Sequence, residues 1–348
     1  MQTILPINNN REMSVPIVIT PHKGFIPCMA VLLQSILENS SKNYYYDIII
    51  IHNEIPVDIQ NKFQIIFEET DNFSIRFFDV SDYILRYSFF ETLIKHKSLF
   101  TTYFRLLIPE LLYKYDKIIY LDGDIVVNVD IAGLLGFDIS NVMLGAVRDV
   151  GGNGDYYAED GIVKKYRDEV LKLEKPNDYF NAGVLVFNIQ KFNEKFTTEQ
   201  WWQMIGSRTW RAKDQDILNV ACANNTLLLP CTWNYVTSYG ENSEKYMTPE
   251  DRKDREKAKD KPNIIHYVGI IRPWNYCTTP YFDIYWEYAK KSPFYEEAFN
   301  QIGEARLVER IIEQSYEGRI NIKSIKKIIS GWLQFQMKKG LSIINIVN

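Results

Sequence analysis

Apolar strands alternate with amphipathic helices through the first 135 residues, and this alternation constrains the fold more than any other feature. The predicted strands are rich in β-branched residues, and the segments between them have apolar residues at helical spacing. The predicted strands are VPIVIT (15–20), YYDIIIIHN (45–53), FSIRFFDV (73–80) and KIIYLDGDIVV (117–127), and the predicted helices are 27–39, 56–70 and 101–116. Such a pattern predicts a mostly parallel sheet with helices on both faces. In these sheets ligands bind outside the carboxyl ends of the strands.

The second half of the chain has a more mixed pattern. Further strands are predicted at 142–149, 179–189, 226–233 and 263–269. Residues 151–178 are polar and contain several glycines, which predicts a lid or an acceptor-side insertion. Residues 239–262 carry 14 charged side chains in 24 positions, which predicts a solvated helix or a mobile loop.

Composition excludes several classes of protein. The formal net charge of −4 gives no basic signature for binding nucleic acid. The four cysteines are scattered without a CxxC pair, which argues against a zinc site and against a disulfide-stapled secreted domain. The first twenty residues lack a signal-peptide pattern, and no apolar run approaches 18 residues, so no membrane-spanning helix is expected. We therefore predict a cytoplasmic protein.

The last thirty residues differ from the rest of the chain. Residues 319–348 contain six basic side chains and no acidic one. The segment IKSIKKIISGWLQF has isoleucines and lysines at roughly helical spacing, followed by two aromatic residues. A basic amphipathic helix of this kind can lie on an anionic membrane surface, which would place the protein on the inner face of the plasma membrane. The alternative is a helix that packs its apolar side on the domain.

Asp122 and Asp124 stand one residue apart inside an apolar run, IIYLDGDIVV. Residues two apart on a strand point to the same face, about 7 Å apart at Cα, and two close carboxylates repel one another unless a cation lies between them. Three interpretations compete: an exposed turn, the nucleophile motif of a haloacid dehalogenase-type phosphatase, and the metal-binding Asp-x-Asp of a nucleotide-sugar glycosyltransferase. The phosphatase motif follows the first strand of its fold. Here about three strands precede Asp122, which favours the glycosyltransferase.

A third metal ligand is predicted in HYVGIIRPW (266–274). His266 follows an apolar run and precedes Gly269, which would let the backbone approach a phosphate closely. An imidazole and two carboxylates form a ligand set that suits Mn²⁺ and, less well, Mg²⁺. Arg272 could hold a phosphate group with two hydrogen bonds.

Four sequence blocks in this order resemble glycosyltransferase family 8, which includes lipopolysaccharide galactosyl- and glucosyltransferases and is related to glycogenin. The blocks are TTYFRLLIPELL with YDKIIYLDGDIVV (101–127), DYFNAGVLVFNI (178–189), KDQDILN (213–219) and HYVGIIRPW. The resemblance implies a GT-A type, Rossmann-like α/β fold with a mixed, mostly parallel sheet. It places the catalytic domain at 15–290 and leaves 291–348 as a helical extension with the basic tail.

The resemblance also implies a role for each matching residue. Asp122, Asp124 and His266 would bind Mn²⁺ or Mg²⁺. Arg105 would reach the donor phosphate or sugar, and Asn181 the donor sugar or the reaction centre. The remaining expected contacts are Asp214 with the sugar hydroxyls, Gln215 at the β face of the anomeric carbon, and Asp122, Gly123, Gly269 and Arg272 around the metal and diphosphate. Read as structural residues, Asn181 would make a strand-edge hydrogen bond and Asp214 would cap a helix.

Two positions depart from the family pattern. Arg272 stands where the family usually has lysine. The loop TPHKGFIP after the first strand has His22 and Gly24 where the family tends to carry an acidic residue and asparagine. Thr20 and His22 would still border the nucleotide, and Phe25 would stack on its base. The expected reaction moves glucose or galactose from a UDP-sugar, with retention of configuration, to a glycan, glycolipid or glycoprotein acceptor. The departures leave open a sugar-nucleotide binder with impaired catalysis.

Overall fold

The computed structural model describes residues 3–7, 13–86, 100–269 and 271–301. The strands in these ranges are β1 (Ser14–Ile19), β2 (Tyr45–His52), β3 (Phe73–Asp79), β4 (Lys117–Leu121), β5 (Ile125–Val127), β6 (Leu144–Arg148), β7 (Phe180–Asn188), β8 (Thr226–Leu229), β9 (Tyr235–Val236) and β10 (Ile264–His266). The α-helices are α1 (Ile26–Asn39), α2 (Val57–Gln64), α3 (Ser81–Ile84), α4 (Ile108–Leu111), α5 (Val150–Tyr156), α6 (Ile162–Lys165), α7 (Ile189–Lys195), α8 (Thr198–Gly206), α9 (Asp214–Ala221), α10 (Glu241–Lys245), α11 (Pro249–Asp260) and α12 (Phe282–Ala289).

The main sheet has the strand order β3-β2-β1-β4-β7-β6-β8. The first four strands in this order are parallel. β7 runs antiparallel to β4 and to β6, and β8 is parallel to β6. The predicted mixed, mostly parallel α/β sheet is therefore confirmed.

The parallel strands are buried on both faces, which explains their continuous apolar runs. Successive side chains of a strand point to opposite faces, so Val18 and Ile49 join one core cluster, whereas Ile17 and Ile48 join the other. Burial of each such side chain contributes roughly 1.5–3 kcal/mol. Helices cover both faces and leave the carboxyl ends of the strands as the edge where polar side chains can meet.

The prediction of one strand across 117–127 was wrong. β4 ends at Leu121, and the chain turns through Asp122, Gly123 and Asp124 before β5 begins. β5 belongs to a second, three-stranded sheet of order β5-β10-β9. The two aspartates therefore occupy the turn between two sheets and do not share one face of a strand. The apolar residues on both sides of the turn are buried in different sheets, which one continuous run in the sequence cannot reveal.

The other predicted elements agree in place with the structure. The 101–116 helix consists of a 3-10 helix (Phe100–Leu107) followed by α4. Residues 239–262 form α10 and α11, and 151–178 contain α5, α6 and a π-helix (Tyr166–Leu171). The 226–233 strand ends early at Leu229, and the two-residue strand β9 follows it unpredicted.

The basic tail at 319–348 and most of the predicted extension at 291–348 lie outside the described residues. Within the described part of the chain, no helix combines the length and the apolar character needed to cross a bilayer.

Candidate active site

Three predicted metal ligands come together at the turn between the two sheets. β10 pairs with β5 so that His266 lies opposite Ile125, directly after Asp124. His266 Nε2 lies 3.2 Å from Asp124 Oδ1 and 3.8 Å from Asp122 Oδ2. One ligand atom from each of the three residues falls within 4.8 Å of the others. Two carboxylates and an imidazole at this spacing fit a divalent cation such as Mn²⁺.

The interpretation of the aspartates as an exposed turn is confirmed for the backbone, which does form a turn. It is wrong about exposure, because both side chains are at least partly buried. Asp124 is only 8% exposed, and the side chain of Asp122 is partly buried. Burial opposes ionisation of Asp124, but His266 and Arg272 outweigh it and hold the pKa of this carboxyl below its ordinary value. Asp124 is therefore kept as a buried carboxylate, the form that binds a cation.

Arg105 links the metal turn to the DQD segment. It lies in the 3-10 helix Phe100–Leu107, and its Nη2 is 2.8 Å from Asp122 Oδ1 while its Nε is 2.9 Å from Asp214 Oδ2. The guanidinium lies over the ring of Tyr120 at 4.4 Å, and the Tyr120 hydroxyl donates to Asp122 at 2.8 Å. One buried arginine thus holds two carboxylates at a fixed separation.

A β-bulge in β7 supplies backbone groups to these side chains. Ala146 pairs with Leu185 while Val147 pairs with Asn181, so the residues between have no partner on β6. The freed amide of Ala182 donates to Gln215 Oε1, its carbonyl accepts from Arg105, and the carbonyl of Gly183 accepts from the amide of Asp122. The backbone of the Asn-Ala-Gly block therefore forms hydrogen bonds with Gln215, Arg105 and Asp122, three of the predicted site residues.

Asp214 and Gln215 begin helix α9. Lys213, the residue before them, has a backbone φ of +52°, a conformation that non-glycine residues adopt only when their surroundings enforce it. Asp214 does not cap the helix with its side chain; it accepts from Thr102 and pairs with Arg105. Burial raises the pKa of Asp214 above its ordinary value, although Arg105 and Thr102 oppose this shift.

Both ends of the Gln215 amide are engaged. Its Oε1 accepts from the amide of Ala182 at 3.0 Å, and its Nε2 donates to Asp149 Oδ2 at 3.1 Å. Asn181 makes the strand-edge bond expected of a structural residue, since its Oδ1 accepts from the amide of Gly183.

The predicted phosphate-binding segment lies on the other side of Asp124. Gly269 has a φ of +91°, which favours glycine. The Arg272 guanidinium lies 4.9 Å from the ring centroid of Phe25 and 5.4 Å from that of Trp274, with Nη2 3.4 Å from Asp124 Oδ2. Arg272 Nε is buried and has no hydrogen-bond partner among the described residues. Its N–H is therefore available to donate to a ligand.

The loop after β1 carries the residues expected to border the nucleotide. Thr20 Oγ1 lies 3.0 Å from the Tyr120 hydroxyl. His22 Nδ1 accepts from the amide of Gly24 at 3.1 Å, and burial lowers the pKa of this imidazole. Phe25 contacts Arg272 and the edge of Trp274, and the backbone of Gly123 passes close to Phe25.

Several residues of the site are not among those predicted from the sequence. Asn234, Thr102, Asp149 and Tyr120 each contact a predicted site residue through a side chain. Tyr120 could have been inferred because it stands near the end of β4, two residues before Asp122. Thr102 stands three residues before Arg105 in the block TTYFRLLIPELL and could have been inferred in the same way. Asn234 and Asp149 come from distant segments, so that only the folded chain brings them to the site.

The sheet topology and the site define a GT-A type fold, the nucleotide-sugar-binding fold of one class of glycosyltransferases. The chain belongs to glycosyl transferase family 8, whose family model matches residues 16–278.

Comparison with individual proteins agrees with this assignment. A lipopolysaccharide 1,2-glucosyltransferase of Escherichia coli K12 is 30% identical over 177 residues, which is 50% of this chain and 48% of that protein. The glycosyltransferase GlyA of Streptococcus pneumoniae is 25% identical over 78% of this chain and 34% of its own length. The chain thus spans about half the length, or less, of these curated relatives.

Solved structures show the same fold. The apo structure of the bifunctional glycosyltransferase WbbM superimposes with a TM-score of 0.75 at 25% identity, covering 86% of this chain and 53% of that one. The galactosyltransferase LgtC, solved with donor and acceptor sugar analogues, gives a TM-score of 0.60 at 21% identity, covering 80% of this chain and 96% of that one.

Proposed function

We propose that the protein is a metal-dependent, retaining glycosyltransferase that moves glucose or galactose from a UDP-sugar to a glycan or glycolipid acceptor with an α linkage. One observation carries the proposal: Asp122, Asp124 and His266 converge within 4.8 Å at the ends of the sheet, in a chain of glycosyl transferase family 8. No other set of metal-binding side chains is found among the described residues.

Asp122, Asp124 and His266 would hold Mn²⁺ or Mg²⁺. When bound there, the cation supplies Lewis-acid stabilisation of the leaving diphosphate, which is worth several kcal/mol in such sites. Arg272 would add to the stabilisation of the diphosphate, because its guanidinium lies next to Asp124 and has a buried N–H without a hydrogen-bond partner among the described residues. Gly269 adds backbone that can approach a phosphate closely. Together they would neutralise negative charge that grows on the β-phosphate oxygen.

Asp214 and Arg105 are placed to orient the donor sugar. Their ion pair fixes the Asp214 carboxylate, which would bind sugar hydroxyls and favour the positive charge that develops at the anomeric carbon. Asn181 would lie beside them near the reaction centre.

Gln215 is poorly suited to act as a nucleophile. Its amide oxygen is uncharged and already accepts the N–H of Ala182. This favours attack by the acceptor on the face that the diphosphate leaves. The leaving phosphate would then take the proton of the acceptor hydroxyl, and configuration would be retained without a covalent intermediate.

For the acceptor we propose a glycan, a glycolipid or a glycosylated protein. The match to a protein named lipopolysaccharide 1,2-glucosyltransferase supports a lipid-linked glycan. The basic composition of 319–348 supports contact with an anionic membrane, on the inner face of the plasma membrane. We expect deletion of 319–348 to reduce binding to anionic liposomes in a flotation assay while leaving the turnover of a soluble acceptor unchanged.

Hydrolysis of a panel of UDP-sugars in the presence of Mn²⁺ tests the donor and the chemistry together. We expect slow hydrolysis of UDP-glucose or UDP-galactose that is lost in EDTA and in Asp124→Ala. A protein that binds UDP-sugar but hydrolyses none would be a binder with impaired catalysis. Release of phosphate from small phosphomonoesters would instead point to a phosphatase, and full activity in EDTA would refute the metal-dependent mechanism.

A further inference from the structure

The ring of His266 is held on its far side by Asn234. His266 Nδ1 lies 2.8 Å from Asn234 Oδ1, while Nε2 faces Asp122 and Asp124. Asn234 is 3% exposed and His266 is 2% exposed, so water does not compete for this contact. A histidine that binds a metal through Nε2 must have no proton on that nitrogen. The group bonded to Nδ1 therefore decides whether the ring can act as a ligand.

The orientation of the Asn234 amide follows from a chain of bonds that starts at a backbone N–H. The amide of Gly183 donates to Asn181 Oδ1 at 2.9 Å, so this atom of Asn181 must be the oxygen. The same oxygen lies 2.8 Å from Asn234 Nδ2, and because an oxygen there can only accept, the facing atom of Asn234 must be the nitrogen. The other end of the Asn234 amide is then the oxygen, and it faces His266. Since an amide oxygen has no proton to donate, the hydrogen must be on His266 Nδ1.

The surrounding backbone restricts movement of the His266 ring away from Asn234. Asn234 immediately precedes β9, and β9 pairs with β10 so that Val236 lies opposite His266. The amide of Thr237 donates to the carbonyl of His266 at 3.1 Å. On the other side, a Cβ at Gly183 would lie 2.2 Å from His266 Cε1, which shows how closely the ring packs on β7.

We propose that Asn234 is a positioning residue for the metal site, which fixes the Nδ1–H tautomer of His266 and keeps Nε2 free to bind the cation. The inference rests on the proposed function, because it assumes that His266 and the two aspartates bind a divalent metal. It gives Asn181 a second task besides contact with the donor sugar: its oxygen sets the direction of the whole chain of hydrogen bonds.

Titration with Mn²⁺ alone, followed by electron paramagnetic resonance, tests the proposal without catalysis. We expect Asn234→Ala to weaken Mn²⁺ binding by about 10- to 100-fold, the usual effect of removing a partner of a metal-bound histidine. Asn234→Asp should weaken it less, because a carboxylate still accepts the Nδ1 proton although it cannot donate to Asn181. Asn225→Ala is the control: this asparagine donates to the carbonyl of Ala223 near the surface, and the variant should bind Mn²⁺ like the wild type. Circular dichroism and urea unfolding establish that each variant is folded.

Nitrogen-15 NMR of the histidine side chains in the metal-free protein reads the tautomer directly. The chain has four histidines, and the signals missing from His266→Gln identify His266. Without metal Nε2 faces the carboxylates of Asp122 and Asp124, so the diagnostic atom is Nδ1. We expect Nδ1 to carry a proton in the wild type and to lose it in part in Asn234→Ala, where Nε2 still faces the two carboxylates. A wild-type ring with no proton on Nδ1, or a folded Asn234→Ala with unchanged Mn²⁺ affinity, would overturn the inference alone. Failure of the wild type to bind Mn²⁺ would overturn the proposed function as well, while the NMR would still show which nitrogen carries the proton.

Discussion

Two buried arginine–aspartate clusters lie on the main sheet, one near the start of β2 and the other at the end of β4. They differ in how completely their charges are matched. The Asp47 cluster consists of Asp47, Arg76, Tyr115 and Ser74. The Arg105 cluster consists of Arg105, Asp122, Asp214 and Tyr120. Each has an arginine, a tyrosine hydroxyl and buried carboxylate oxygen, so their composition alone does not separate them.

In the Asp47 cluster one arginine meets one carboxylate. Arg76 Nε and Nη2 lie 3.0 and 2.7 Å from the two Asp47 oxygens. Tyr115 and Ser74 complete the hydrogen bonds of this carboxylate at 2.9 and 3.1 Å, and Asp47 is 1% exposed. A pair that is matched in charge and fully hydrogen-bonded has nothing left to offer a ligand.

The Arg105 cluster is not matched in this way. Arg105 divides its guanidinium between Asp122 and Asp214. Asp124 stands next to them and has a longer contact with Arg272, at 3.4 Å. Three carboxylates therefore face two guanidinium groups, and the excess negative charge favours binding of a cation. Unmatched charge, more than burial or residue type, therefore distinguishes the site from the scaffold.

The largest loss of stability is expected when the matched pair is broken. Arg76→Ala leaves the Asp47 carboxylate buried without its counter-charge, which should lower the free energy of unfolding by about 3–5 kcal/mol. Urea unfolding followed by circular dichroism measures this, and Arg252→Ala, at an exposed arginine bonded to the carbonyl of Glu244, should change it by less than about 1 kcal/mol. Mn²⁺ affinity of the folded Arg76→Ala protein should equal that of the wild type. A weakened metal site would mean that the two clusters are coupled through the sheet.

A large loss of activity is expected when the shared arginine is shortened. Arg105→Lys keeps the charge but cannot reach Asp122, Asp214 and the carbonyl of Ala182 at once, because an ammonium lacks the planar fork of a guanidinium. Misplacement by about 1 Å of the Asp214 carboxylate, which we propose orients the donor sugar, can cost on the order of 100-fold in rate. We expect a loss of this size in UDP-sugar hydrolysis, with a fall in stability of about 1–2 kcal/mol. Arg76→Lys is the matched control, and it should leave the rate unchanged.

The sequence predicts the sheet and the convergence of Asp122, Asp124 and His266 well, because both depend on local pattern. The parallel strands are continuous apolar runs, and Asp122, Asp124 and His266 stand in short motifs of recognisable spacing. The break of the strand at Asp122 was missed, because residues on both sides of the turn are apolar for different reasons: β4 is buried in one sheet and β5 in another.

The remaining contacts of the site depend on distance in space. Asn234 is one of many asparagines in the sequence, and its importance follows from the pairing of β9 with β10. Gly183 is part of a quoted motif, but the reason for a glycine there is the ring of His266, 83 positions later in the chain. No local pattern contains such information, since it arises when strands from separate parts of the chain are aligned.

A smaller effect on stability is expected when an unmatched carboxylate is removed. Asp122→Asn reduces the excess negative charge, so without metal the free energy of unfolding should change by no more than about 1 kcal/mol, whereas Asp47→Asn should lower it by about 2–3 kcal/mol. Mn²⁺ at 100 times its dissociation constant should stabilise the wild type by about 2.7 kcal/mol, and Asp122→Asn should lose this gain. Thermal unfolding with and without Mn²⁺ measures both terms. Equal destabilisation by the two substitutions would remove the distinction between the clusters.

The smallest effect is expected at Arg272, the second arginine of the site, where the charge can be kept and the ring contacts removed. Its guanidinium lies near the rings of Phe25 and Trp274, and such contacts contribute about 0.5–2 kcal/mol. Arg272→Lys restores the residue usual in the family at this position, and because a lysine ammonium would not stack in the same way, we expect UDP to bind about 3- to 10-fold more weakly in the presence of Mn²⁺, as measured by calorimetry. Phe25→Leu should weaken UDP binding to a similar extent, and the double variant should lose little more, because both remove one arrangement. If Arg272→Lys binds UDP as tightly as the wild type, a positive charge next to Asp124 is sufficient for UDP binding. The contacts of Arg272 with Phe25 and Trp274 would then contribute to stability and not to UDP binding.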